Sequence, residues 1–304
     1  MYPAHYDRGW HITGSTGSVG AAAACARLLG LNVQQTAMAM GIAASQPIGM
    51  REQFGTMTKP FHPGGSARAG LTSALLAQNG FTASAKALEA PRGFIQTVST
   101  KHDWSEITDA LGERFEISFN TYKPFACGIV VHPSIDACVQ LRAKGITPDQ
   151  IERIDLKVHS LVLELTGKKT PADGLQAKFS VYHGCAAGLM AGRAGEEEYE
   201  DAFVTRADTV ALRAKVHAVV NDAIDEASAD VTAHLKDGRQ VHVFVEHAIG
   251  SMQNPMSDAQ LEGKFHSLAD GVMGAERAQA AIAACWGMGQ APGVQALLQA
   301  ACPR

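Results

Sequence analysis

With 304 residues, 46% apolar and 18% charged, the chain has room for one large domain or two smaller ones and is not disordered as a whole. A net charge of −4 leaves no basic footprint for nucleic acid, and no apolar run is long enough to span a membrane. The opening residues, Met1 to Asp7, show no signal-peptide pattern, so a cytoplasmic location is the default expectation.

The six cysteines, Cys25, Cys127, Cys138, Cys185, Cys285 and Cys302, are scattered, and no pair has CxxC spacing. Most of them read as small core residues in a reducing compartment, and the spacing argues against a disulfide framework or a zinc site. The first helix is expected over 15–29, nearly all apolar and rich in alanine, with Gly30 and Asn32 closing it. A second follows over 33–44. Residues 45–57, rich in Gly, Gln and Met, read as an irregular segment in which a pocket can form. Lys59 and His62 lie three apart, flanked by Pro60 and Pro63, on what reads as a rigid connection into a helix over 66–78. Gly64, Gly65 and Ser66 would leave backbone N–H groups free there, an anion site beside Lys59; a solvated lysine and a capping Ser66 explain the same pattern.

A short helix is expected over 83–90, a turn over 91–94 and weak periodicity over 95–118. The character changes near Tyr122. A break over 122–128 leads to a helix over 133–144, and residues 151–163 alternate like a strand. An apolar helix over 177–191 and a short acidic one over 196–203 precede a strand over 216–220. Residues 229–235 and 240–247 flank Lys236-Asp237-Gly238, a β-hairpin signal. Helices return over 258–284 and 293–301. The order predicts a mainly α protein with an α+β insertion containing antiparallel strands: a helical domain over 1–118 and 254–304, and an α+β domain over 119–253. No Walker A, GxGxxG or HExxH motif is present.

Several stretches together resemble the MmgE/PrpD family, which includes 2-methylcitrate dehydratase, cis-aconitate decarboxylase and iminodisuccinate epimerase. They are Gly9-Trp10-His11, the alanine-rich run ending Ala26-Arg27-Leu28-Leu29-Gly30-Leu31, residues 39–45, Thr58-Lys59-Pro60 with Gly70 beyond it, Tyr122-Lys123-Pro124-Phe125, His132-Pro133 and Ala177-Lys178-Phe179-Ser180. The resemblance implies a helical domain with an α+β lid, commonly a homodimer, that uses no metal or organic cofactor. It also implies a small di- or tricarboxylate substrate and a pocket histidine and lysine at His11 and Lys59. The chain departs from the family in beginning almost at the Gly-Trp-His turn, without the family's preceding helical segment. It departs again at Gly128, where cis-aconitate decarboxylase has a pocket histidine, which disfavours that decarboxylation; His132, four residues on, is not the same position.

The implied chemistry removes or delivers a proton beside a carboxylate, and histidine has the pKa for it. His11 is the acid/base candidate, against a capping or core histidine. Lys59 would bind a carboxylate and stabilise developing charge, against a solvated loop lysine. His62 reads equally as a second carboxylate ligand or a structural residue. Lys123 would face the cleft from the lid entrance or lie on the surface. Ser180 and Tyr182 would close the pocket with hydroxyl donors or sit in a buried helix. His159, His183, His217, His234, His242, His247 and His266 have no motif behind them and read as surface or strand residues. The leading functional expectation is dehydration of a 2-methylcitrate-like substrate, in propionate metabolism. Epimerisation of a substituted succinate uses the same proton abstraction. A truncated, non-catalytic or split-subunit member acting through dimerisation or a partner chain is the reading from a different class.

Overall fold

A computed structural model describes residues 1–302 as two compact units, Met1–Phe115 and the remainder from Glu116. It is mainly helical with one four-stranded sheet, as the sequence predicts.

Small side chains set the packing of the first unit. Helices Gly17–Leu28, Val33–Ala43 and Thr58–Gln78 bury Ala22, Ala26, Ala39, Ala43, Ala74 and Ala77 against one another. With alanines at the centre of the contact and Cys25, Met38 and Ile42 beside them, the helices come close enough for polar ties. Ser18 Oγ donates to the Ala43 carbonyl at 3.3 Å, and Gln46 Nε2 donates to Ser73 Oγ at 3.1 Å. A capping box starts the second helix, with the Asn32 and Gln35 side chains each taking the other's backbone N–H. The closest approach is at Gly70, where an added Cβ would lie 2.4 Å from Ala21 Cβ and 2.7 Å from its carbonyl carbon. Alanine at an exposed helix position gains up to about 1 kcal/mol over glycine. At Gly70 that gain is outweighed: Gly70→Ala is expected to lower stability by about 1–3 kcal/mol in urea unfolding, as overpacking does.

The long helix corrects the sequence reading. It begins at Thr58, not 66, and carries Lys59, Pro60, His62 and Pro63 within it. The first four N–H groups of a helix have no internal partner, so Pro60 loses no bond there. Ser66 is therefore no cap. It is buried, and its hydroxyl reaches the carbonyls of Thr13 and Gly14 at 2.9 and 2.8 Å. The expected anion site at Gly64–Ser66 does not form. Residues 83–90 make turns rather than a helix, and Phe94–Val98 forms a short helix in a second small core with Ala44.

The second unit has an aliphatic core. Strands β1 (Ile151–Val158), β2 (Val216–Val220), β3 (Ala229–Leu235) and β4 (Gln240–Val245) form a sheet in the order β2-β1-β3-β4. The predicted hairpin is β3–β4. The sheet is mixed rather than antiparallel throughout, because β2 joins β1 in parallel, with Ile154 opposite Val216. The expected strand over 151–163 stops at Val158, and Ser160–Thr166 is a helix capped by the His159 ring. Ile154, Leu156, Val158, Val231, Ala233 and Leu235 are buried, while Arg153, Asp155 and Lys157 alternate on the other face. That polar face is laced by His234–Asp155 at 2.8 Å and His242–Asp230 at 2.9 Å.

Helices His132–Ala143 and Val181–Ala191 supply Ile135, Leu141 and Leu189 to the same core. Cys127, Cys138 and Cys185 are buried thiols, as expected, but Cys285 and Cys302 are exposed. Helices Asp258–Met273, Ala275–Trp286 and Gln295–Ala301 end the described chain. Contacts group them with the second unit; that they complete the helical domain stays a proposal. Among the described residues no helix is long and apolar enough to cross a membrane.

Candidate functional site

The Gly9–Ser15 turn and the start of the long helix hold the candidate chemistry. The turn is fixed from two sides. The 46–54 segment bonds to it through His11 N–H to Gly49 O at 3.1 Å, Ile48 N–H to Gly14 O at 3.3 Å and Arg51 N–H to Gly9 O at 2.8 Å. Ser66, on the long helix, ties the carbonyls of Thr13 and Gly14 to that helix. His11, immediately before the Ile12–Ser15 helix, is thereby brought to His62 on the first turns of the long one.

The two imidazoles meet Nδ1 to Nδ1 at 2.9 Å, with ring centroids 5.1 Å apart. His62 is buried and His11 half-buried. Phe54 stands edge-on to His11 at 5.1 Å, and Lys59 Nζ lies 5.3 Å from the centre of the Phe54 ring. Gly49 sits against the pair with φ +97°, a region that side chains other than glycine's rarely occupy. A Cβ there would be 2.9 Å from His62 Nδ1.

Burial pushes the His11 pKa down to about 4, and the positive charges of Lys59 and His62 add to that. His11 is therefore neutral at pH 7. A bond between two Nδ1 atoms then needs one proton, on one ring or the other. The ring that donates has a free lone pair at Nε2 and is a base. A neutral acceptor ring carries its proton at Nε2 and is an acid. Once the base has gained a proton at Nε2 and the acid has lost its own, transfer of the shared Nδ1 proton leaves both rings neutral with their roles exchanged.

The sequence reading thus separates into two groups. His11, Lys59 and His62 gather in the first unit. His62, left open as a carboxylate ligand or a structural residue, is a direct partner of His11. Lys123, Ser180 and Tyr182 belong to the second unit. Lys123 Nζ donates to the Cys127 carbonyl at 3.2 Å. Ser180 caps the Val181–Ala191 helix by accepting His183 N–H at 3.1 Å. Tyr182 is nearly buried, with Lys169 Nζ 5.8 Å from its ring centre.

Two histidines depart from expectation. His183, read as a surface or strand residue, is fully buried, with Nε2–H donated to the Glu198 carbonyl at 2.8 Å. His5, which no motif marks, is also buried. Its Nδ1–H donates to the Val98 carbonyl at 3.0 Å, and its Nε2 accepts the Ser15 hydroxyl at 2.6 Å. Both His5 nitrogens are satisfied, so its role is to anchor the turn rather than to exchange protons. Among the described residues no group of three or more His, Cys, Asp or Glu side chains is placed to hold a metal ion.

Two family models match the chain: the MmgE/PrpD N-terminal domain over residues 1–107 and the MmgE/PrpD C-terminal domain over residues 125–288. A cis-aconitate decarboxylase-like protein of Aspergillus oryzae is 28% identical over 294 residues, covering 90% of this chain and 61% of that protein. A cis-aconitate decarboxylase of Aspergillus terreus is 26% identical, covering 88% and 59%. That of Mus musculus is 25% identical, covering 85% and 55%. The chain spans between 55% and 61% of the length of these three relatives.

Proposed function

The chain belongs to the MmgE/PrpD family, and on that premise we propose that it is a lyase, acting beside a carboxylate of a small di- or tricarboxylate. His11 and His62 supply the acid and the base, and Lys59 supplies the positive charge. The observation that carries this is the Nδ1–Nδ1 contact at 2.9 Å.

In an elimination, the basic Nε2 takes the proton beside the carboxylate while the other Nε2–H protonates the leaving hydroxyl. The shared Nδ1 proton then crosses, and both rings end neutral with their roles exchanged. In a decarboxylation the carbon–carbon bond breaks, carbon dioxide leaves, and the electron pair on carbon takes the acidic Nε2–H, which a proton from water then restores. Either path builds negative charge next to a carboxylate, where Lys59 is worth most.

The relatives bear the names of decarboxylases, which supports the lyase class. None of them carries the expectation of 2-methylcitrate dehydration, so cis-aconitate is the first substrate to test. At Gly128 a Cβ would meet Thr166 Cγ2 at 3.5 Å, an ordinary contact. The family's homodimer belongs to the same proposal.

The protein is incubated in D2O with cis-aconitate, citrate, 2-methylcitrate, itaconate and substituted succinates and followed by NMR. Loss of substrate or deuterium uptake at the carbon beside a carboxylate is expected with at least one of them. Lys59→Ala should slow it by about 10²–10³-fold, the usual cost of removing one stabiliser of developing charge. No reaction with any of these acids, or turnover indifferent to His11→Ala, would overturn the proposal.

A further inference from the structure

The second unit holds a buried arginine without a carboxylate. Arg213, the last residue of the Ala207–Arg213 helix, is 6% exposed, and its Nη1 donates to the Val204 carbonyl at 3.3 Å. Among the described residues no aspartate or glutamate pairs with it. Burial alone pulls its pKa down, with no acidic group holding it up. An ion taken out of water without a counter-ion is costly, and folded chains seldom keep one without a use for it.

Arg213 lines a cavity of about 340 Å³ with Lys169, Thr170, Tyr182 and His217. No acidic side chain lines this cavity among the described residues. Lys169 has no ion-pair partner there either, and its ammonium is held near the Tyr182 ring. Val210, from the helix that carries Arg213, its C-cap residue Ala214, and β2, an edge strand of the sheet, complete the wall. Ile154 N–H donates to Lys215 O, and Asn221 N–H donates to Val158 O. Residues 215, 217, 219 and 221 therefore bond toward β1, and alternation turns the N–H of Ala218, a wall residue, to the open edge. Among the apolar side chains of Val210, Ala214, Val216 and Val219 the lining thus carries two cations, two hydroxyl-bearing residues and an imidazole, and no negative charge.

We infer that this cavity binds an oxyanion, the carboxylate or phosphate of a small molecule, on the Arg213 guanidinium with Lys169 as second cation. The planar guanidinium fork fits either anion through two parallel hydrogen bonds. No residue of the His11–Lys59–His62 group takes part, so the site stands whether or not the proposed lyase chemistry does. Tyr182, a substrate-binding candidate on sequence grounds, belongs to this site.

The test is thermal unfolding of the protein with inorganic phosphate or succinate, against sodium chloride at equal ionic strength. Phosphate, succinate or both should raise the unfolding midpoint beyond the chloride control, and the difference between them identifies the preferred anion. Lys169→Ala changes an exposed side chain and should weaken the apparent affinity about tenfold, as loss of one charged hydrogen bond does. Arg213→Met should abolish the anion-linked rise, and its anion-free midpoint reads separately the removal of the buried charge against the loss of the Val204 carbonyl's donor. No rise above chloride would overturn the inference. So would a rise that Lys169→Ala leaves undiminished, whatever the fate of Arg213→Met.

Discussion

His62→Ala is expected to lower turnover about as much as His11→Ala, by about 10²–10⁴-fold, with the double variant little worse than either. The near-equality follows from the shared proton. Each ring's outward Nε2 is set as acid or base by the proton between the two Nδ1 atoms, so removing either ring removes the setting for both. Residues acting as one unit give non-additive losses. A His62 that only held a carboxylate would instead raise KM, spare kcat and add independently to His11→Ala. Imidazole nitrogen shifts offer a check that needs no substrate. At pH 7 one ring should read as the Nδ1–H tautomer and its partner as hydrogen-bonded at Nδ1. His11 should titrate near 4 and move upward in Lys59→Ala, because a nearby positive charge is gone. The upward move should be partial, since burial is the larger cause. Independent losses in the single variants, or two rings with no Nδ1 contact, would remove the dyad.

The fold was legible where pattern and packing agree. Alternation marked β1, Asp237-Gly238 marked the hairpin, and the alanine-rich runs marked helices that need small residues to approach one another. The errors have local causes. Pro60 and Pro63 look like helix breakers, but Pro60 falls where a helix has no bond to lose, and only Pro63 sits deeper. Ser66 looks like a cap because nothing local shows that Thr13 and Gly14, more than fifty residues earlier, offer their carbonyls to it. The candidate site was half legible for the same reason. His11 and Lys59 lie in motifs, whereas the His11–His62 bond spans 51 residues and exists only once the long helix docks on the turn. Arg213 carries no motif. Only its burial beside a cavity without acids makes it conspicuous.

The second unit should lose stability steeply as pH falls from about 6.5 to about 4, and two histidines set that window. His132 is 1% exposed and makes no hydrogen bond of good geometry, with Phe125 edge-on at 5.2 Å. Its pKa is pushed down to about 4, by burial first and then by the charge of Lys123, with the Cys127 carbonyl offsetting part. His183 is fully buried and also lowered to about 4, by burial against the pull of the Glu198 carbonyl, with the charge of Arg213 adding to the drop. A depressed folded-state pKa means that the unfolded chain takes up the proton first. The stabilisation is therefore complete above about 6.5 and is lost on acidification toward 4. With two such groups the loss is about 2–3 kcal/mol per pH unit in mid-window. Across the window it approaches the whole stability of an ordinary domain, about 5–15 kcal/mol. Urea midpoints between pH 7.5 and 4.5 measure it. His132→Leu should remove about half the slope at little cost at pH 7, since no hydrogen-bond partner is orphaned. His183→Leu should also flatten the slope, but at a cost of about 1–3 kcal/mol at pH 7, because the Glu198 carbonyl loses its donor. A midpoint that does not move between pH 7 and 5, or a His132→Leu chain that keeps the full slope, would show that these rings are not what acid attacks.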